Sequence, residues 1–272
     1  MVNACGNYVI GVGSQRCGTT LLHKVLVKAA NVNLHPVKEL HYFDTKHGLR
    51  SPQLQMSRAL GRAKRQLRRP HLLLTSRGRF EYRVNMLLAN NPPGSYEYRD
   101  LYAGIPPAGV LGGEITPDYM LLAEQAIDDM RDSVGDASII LMTRDPFDRL
   151  VSSMKLYLHS HMSEMNPQNA SYNEMVVKTL MDKPAWVERQ LQYNDYEVAL
   201  KRYRARFSKV LELPYEEFLV ADKGAMLLQE FLELPVDRKK YQKCLAKKVN
   251  SFLSGFRPSQ ELQEAVKSRF SL

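Results

Sequence analysis

Residues 11–22 read GVGSQRCGTTLL. The apolar run Tyr8-Val9-Ile10 leads into them, and Leu21-Leu22-His23-Lys24-Val25-Leu26 carries on with apolar residues at helical spacing. A strand, a glycine-bearing turn and a helix in immediate succession are the opening unit of an α/β fold. Such a turn aims several backbone N–H groups at one point, and the start of the helix adds about half a positive charge there. Gln15, Arg16, Cys17, Gly18, Thr19 and Thr20 therefore form a candidate anion site. Thr19 and Thr20 bring hydroxyl donors, and Arg16 brings a fork that can bond a phosphate bidentately. A tight turn with no ligand is the alternative.

The triphosphatase loop G-x-x-x-x-G-K-[ST] has glycines at the spacing of Gly13 and Gly18, but Thr19 stands where its lysine should be. That lysine reaches the β- and γ-phosphates of ATP or GTP, and no acidic strand end offers itself for magnesium. A P-loop kinase or triphosphatase becomes a remote alternative.

Elsewhere short runs rich in β-branched residues alternate with amphipathic stretches, which predicts a mostly parallel sheet flanked by helices in three layers. Strands are expected at Tyr8–Val12, Val32–Leu34, Val110–Gly112, Ser138–Thr143 and Lys209–Pro214. Helices are expected at Thr19–Ala30, Leu121–Met130, Pro146–His159, Asn194–Phe207 and Ala225–Leu232. Pro92–Gly109, rich in proline and glycine, reads as a long surface loop, and Ser160–Asn173 reads similarly. No repeat or low-complexity tract divides residues 1–272, which read as one domain.

A second site is suggested by SIILMTRDPFDRLVSSMKLYLHS, residues 138–160. An apolar strand ends at Thr143, and Arg144-Asp145-Pro146 opens a helix, with Asp145 at its N-cap and Pro146 at its first position. Ser152 lies eight residues beyond Arg144, and Arg149 three before Ser152. Arg144 and Arg149 read equally well as surface ion-pair residues. The functional reading gains because this strand end belongs beside the first, at the crevice where open α/β sheets bind ligands.

The 272 residues carry a net charge of +9 and are 44% hydrophobic, enough to bury a full core. No apolar run approaches the roughly eighteen residues of a membrane span, and no signal peptide is recognisable. The expectation is a cytoplasmic protein, or a lumenal catalytic domain without its anchor. Cys5, Cys17 and Cys244 are too few and scattered for a disulfide framework or a zinc site. Cys17 reads as structural. The charge excess implies anionic partners, and much of it lies between Arg58 and Arg83. Arg58, Arg62, Arg65 and Arg69 follow helical spacing, so that segment reads either as a solvated face or as a wall beside an anionic ligand. No nucleic-acid-binding motif accompanies it.

The two strand-end motifs together resemble the nucleotide signatures of sulfotransferases that use 3′-phosphoadenosine 5′-phosphosulfate (PAPS). Gln15–Thr20 is similar to that family's 5′-phosphosulfate loop, and Arg144 with Ser152 is similar to its 3′-phosphate motif. VKELHYFD (37–44), GGEITPDY (112–119) and VLELPYEEFL (210–219) resemble further family segments, the first of them typical of glycan-modifying members. The resemblance implies a metal-independent sulfuryl transfer from PAPS to a hydroxyl, or to an amine. It places the first phosphate on Arg16 and Thr19–Thr20, the second on Arg144 and Ser152, and the adenine near Tyr215.

Glu39 matches the family's general base and His41 a neighbouring active-site histidine that assists it or substitutes for it. Glu114 is a third candidate base that reads better as positioning the other groups, and Glu114 and Tyr98 are candidate acceptor contacts. Two positions depart from the family pattern. Arg16 replaces a lysine that assists the leaving group, and arginine does not readily give up a proton. Ile115 replaces a second lysine beside the base. The expected acceptor is a small metabolite or natural product, with a heparan-type glycan as the alternative and a non-catalytic nucleotide- or nucleic-acid-binding module as a third reading.

Overall fold

The computed structural model describes residues 8–104, 112–161, 170–246 and 258–272, and of 160, 161 and 170–173 the backbone alone. The first strand, β1 (Tyr8–Gly13), passes into α1 (Thr19–Lys28) through the glycine turn. Next come β2 (Asn33–Leu34), α2 (Tyr42–Lys46), α3 (Pro52–Leu67) and α4 (Ser76–Asn90). They are followed by β3 (Gly112–Ile115), α5 (Glu124–Val134), β4 (Ser138–Thr143) and α6 (Pro146–His161). The remainder is α7 (Ala170–Met181), α8 (Pro184–Asn194), α9 (Tyr196–Arg204), β5 (Val210–Pro214), α10 (Tyr215–Leu219), α11 (Ala221–Leu232), α12 (Arg238–Leu245) and α13 (Gln260–Phe270).

The five strands form one sheet in the order β2-β3-β1-β4-β5, and every pairing is parallel. Parallel strands covered on both faces need apolar side chains on both, which is why β1 and β4 read as continuous runs rather than alternating ones. Ile10, Val12, Ile139 and Leu141 face one core cluster, while Val9, Ile140, Met142 and Leu213 face the other. All eight are fully buried. A third, smaller cluster joins α6 to the C-terminal helix through Leu150, Met154, Leu158, Val266 and Phe270. From β1 the chain crosses to the β2 edge, and from β4 it moves toward the β5 edge. The carboxyl ends of β1 and β4 thus make the switch point where such sheets bind ligands.

Four of the expected strands occur; of the fifth, Val110–Gly112, residues 110 and 111 lie outside the described residues, and β3 is seen over Gly112–Ile115, pairing with β1 through Gly113, Glu114 and Ile115. Most expected helices match to within a few residues; the second begins later, at Glu124, because Pro117–Leu121 forms a 3-10 turn first. The Arg58–Arg83 segment is a helical hairpin of α3 and α4, joined through the turn Pro70–Leu74. The stretch read as a surface loop at Pro92–Gly109 is not wholly superficial. Tyr98–Tyr102 forms a 3-10 turn whose Tyr98 and Leu101 are buried, because aromatic residues there pack on Tyr8, Tyr42 and Phe43. Its end, and most of Ser160–Asn173, lie outside the described residues, as does Cys5.

Candidate active site

The turn between β1 and α1 is built around two demands. Gly18 has φ +89, and a Cβ there would come within 2.6 Å of the Tyr215 ring, so both backbone and space require glycine. Arg16 also takes a positive φ, +71, a conformation that side-chain-bearing residues adopt at a cost and that clusters at ligand sites. The turn is pinned from beneath. Ser14 is fully buried, its N–H donating to the Met142 carbonyl (2.8 Å) and its hydroxyl to the Tyr193 carbonyl (2.8 Å). The Cys17 thiol is fully buried against the Tyr196 hydroxyl (3.7 Å), and burial pushes its pKa up, in keeping with a structural role. Among the described residues no side chain caps the start of α1.

Across the crevice, Arg144 follows β4 with its guanidinium 4.8 Å from the centre of the Tyr215 ring. Its Nη1 donates to the Arg16 carbonyl at 3.3 Å, and its buried Nε has no partner among the described residues. A buried guanidinium N–H without an acceptor is costly unless a ligand supplies one. Ser152, on α6, accepts from Arg16 Nε at 3.0 Å. The structure therefore brings Arg16, Arg144, Ser152 and Tyr215 together. The resemblance groups Arg16 with Thr19 and Thr20; in the structure the Nε of Arg16 bonds Ser152 and its carbonyl accepts from Arg144. Burial first, and then the charge of Arg144, lowers its pKa from the usual arginine value. Arg149 is neither a surface ion-pair residue nor part of the site. It is fully buried and bonds the side chain and carbonyl of Gln190 (3.0 and 3.1 Å) and the Asn194 side chain.

Glu39 and His41 arrive from the segment between β2 and α2. Both have positive φ, +59 and +53, a conformation that side-chain-bearing residues adopt at a cost. His41 Nε2 lies 3.7 Å from Glu39 Oε2, while His41 Nδ1 bonds the fully buried Asp44 at 2.7 Å. Burial opposes charge on His41, but hydrogen bonds to Asp44 and Glu39 win and raise its pKa to about 9. Burial likewise opposes charge on Glu39, yet hydrogen bonding to His41 and the adjoining Lys38 cation bring its pKa down to about 2. At neutral pH this is a carboxylate beside an imidazolium. Asp118 completes the cluster at 3.9 Å from His41 and carries Tyr193, Arg50 (3.4 Å) and Arg189 (3.8 Å). His41, Asp44 and Asp118 are ligand types that a cation could use. Here these acids already face three cationic groups, so the cluster reads as an ion-pair network.

Glu114 stands in a positioning place. It is fully buried at the end of β3 and accepts four hydrogen bonds: from Thr116 (2.6 Å), Tyr119 (2.9 Å), Tyr98 (3.0 Å) and the Leu40 backbone N–H (3.0 Å). Through Leu40 it fixes the segment that carries Glu39 and His41. Burial raises its pKa despite those bonds. Tyr98, the other candidate acceptor contact, is buried beneath the same carboxylate. Ile115 packs fully buried against Gly11, so no cation could stand there without cost.

Three participants were passed over in the sequence: Asp44, Asp118 and Lys38. Lys38 precedes Glu39, and its Nζ donates to Glu39 Oε1 at 2.9 Å and to Thr20 Oγ1 at 2.7 Å. The signal was present in the quoted VKELHYFD, but only the fold shows that this lysine reaches the α1 start.

Comparison with known proteins agrees with this geometry. A model of the sulfotransferase family matches residues 9–238. Among solved structures, the chain is similar to a sulfotransferase from Alicyclobacillus acidocaldarius (TM-score 0.55, 20% identity, covering 99% of this chain and 92% of that one). It is also similar to the sulfotransferase domain of an olefin synthase from Synechococcus PCC 7002 (TM-score 0.51, 15% identity, covering 98% and 88%). A search of curated protein sequences returned no match. The all-parallel sheet, the two strand-end motifs and the family match together place the chain: it belongs to the sulfotransferase family and is an enzyme.

Proposed function

We propose that the enzyme transfers the sulfuryl group of PAPS to a hydroxyl of a small metabolite or natural product, without a metal. The observation that carries the reading is the pairing of two anion-attracting places beside one carboxylate. Arg16, Arg144 and Ser152 gather at the end of β4, with the orphaned Arg144 Nε among them, and the uncapped start of α1 lies by Lys38 and Glu39. One place suits the 3′-phosphate of the nucleotide and the other its 5′-phosphosulfate. PAPS supplies the activated sulfuryl group. Tyr215, already under the Arg144 guanidinium, offers a flat face to the adenine.

Glu39 is the general base in this reading. It is the site's partly exposed carboxylate, and its ionised state is held by His41. Asp44 orients the imidazolium of His41, which leaves Glu39 to accept the acceptor's proton. The Arg144→Ala variant tests the nucleotide site: affinity for adenosine 3′,5′-bisphosphate should fall about 10- to 100-fold, as for a lost charge-assisted bond. Unchanged affinity would remove the 3′-phosphate assignment. A PAPS-coupled acceptor screen read by mass spectrometry, for an added sulfuryl group, identifies the acceptor.

A second reading, a polyanionic glycan acceptor, rests on the α3–α4 hairpin. Residues 58–83 hold eight arginines and one lysine against a single carboxylate, Glu81. Arg62, Arg65, Arg68 and Arg69 line a cavity of about 640 Å³ there. Competition by heparin-like polymers against the acceptor, lost when Arg65 and Arg69 become alanine, would favour the glycan.

A further inference from the structure

The chemistry proposed above needs a cation at the oxygen that leaves with the nucleotide. When the S–O bond to the 5′-phosphate breaks, its electron pair stays on that oxygen, and charge grows there as the transition state is reached. The sequence puts no lysine in the turn and an isoleucine at 115. Arg16, the turn's own cation, is bonded to Ser152 and stands with Arg144. In this arrangement the cation that stands between the α1 start and Glu39 is Lys38.

We propose that Lys38 is that cation, a catalytic residue that donates an N–H to the bridging oxygen during transfer. This rests on the sulfotransferase reading of the site. Its Nζ bridges the two halves of the chemistry, with Thr20 at the start of α1 on one side and Glu39 on the other. An ammonium has three N–H donors, and Thr20 and Glu39 account for two. The side chain is 31% exposed, so it can be reached from the crevice while its position stays fixed by those bonds.

The location also couples the two ends of the reaction. Without ligand, Lys38 pairs with Glu39 and makes that carboxylate a poor base. As Lys38 turns to the leaving oxygen, Glu39 loses a cationic partner and gains basicity when a proton must be taken. The balance is complete: the acceptor oxygen bonds to sulfur and its proton passes to Glu39. The old S–O bond breaks toward the 5′-phosphate, where Lys38 stabilises the electron pair. Glu39 later returns its proton to water.

The test does not require the acceptor. Bound PAPS also loses its sulfuryl group slowly to water, and that rate reads leaving-group assistance alone. In the full chain, Lys38→Ala should slow single-turnover PAPS cleavage by about 10²- to 10³-fold. Affinity for PAPS, whose bridging oxygen carries little charge before transfer, should fall far less than that rate, by under about tenfold, and Lys38→Arg should recover part of the rate. Circular dichroism of Lys38→Met checks that a folded variant shows the same loss. Cleavage by Lys38→Ala within threefold of the unaltered enzyme overturns the proposal. So does a loss of PAPS affinity equal to the loss of rate, because Lys38 would then belong to ground-state binding. Failure of the unaltered enzyme to bind the bisphosphate would instead sink the sulfotransferase reading of the site.

Discussion

At the residue scale, the site turns on a carboxylate whose charge is held by its neighbours. Glu39→Gln keeps the shape of the side chain but cannot take a proton, so turnover should fall by about 10²- to 10⁴-fold with nucleotide affinity unchanged. Near-normal turnover would eliminate Glu39 as base. The pair also sets a pH signature in stability. The folded pKa of His41, about 9, lies above its ordinary 6.5, so its contribution is fully present below 6.5 and is lost as pH rises through 9. That of Glu39 lies near 2, so its contribution is present above about 4.5 and is lost as pH falls toward 2. The melting temperature should therefore decline between pH 6.5 and 9, and His41→Gln should flatten that decline. An equal slope in the variant would mean that another group titrates. These residue roles were partly legible beforehand. Glu39 and His41 stand out in KELHYFD, whereas the reach of Lys38 to Thr20 depends on the fold setting this segment beside the start of α1, which no local propensity announces.

At the element scale, the β1–α1 turn is a joint in which backbone conformation and packing agree. Gly18→Ala meets a left-handed φ and the Tyr215 ring at once. The variant should lose about 1–3 kcal/mol of stability and much of its bisphosphate affinity, read by denaturant melts and calorimetry. Retention of both would show that the turn can relax. The helices flanking this joint were readable from the 3.6-residue period and from Asp145-Pro146, since capping and periodicity are local. The 3-10 turn at Tyr98–Tyr102 was not. Proline and glycine around it look like a loop, and its burial comes from aromatic contacts with Tyr8, Tyr42 and Phe43, distant in the chain.

At the scale of the whole molecule, the sheet and the catalytic segment are tied together by one buried carboxylate. Glu114 joins β3 to Leu40, Thr116, Tyr98 and Tyr119. Glu114→Ala would leave four donors without a buried acceptor and should cost about 3 kcal/mol or more; Tyr98→Phe, which removes one of those four bonds together with the hydroxyl's bond to Tyr102 (2.8 Å), should cost about 1–2 kcal/mol. Equal losses in urea melts would refute that hub. The sequence by itself determined the strand–turn–helix opening, the parallel α/β class and the two strand-end motifs. Each of these rests on periodicity, glycine and capping, which act over a few residues. Tertiary structure alone decided that Arg16 joins Ser152 and Arg144, that Arg149 and Glu114 are internal braces, and that Lys38 spans the α1 start and Glu39. Those placements depend on which strand ends become neighbours and which side chains burial forces to find partners, and chain-distant packing sets both.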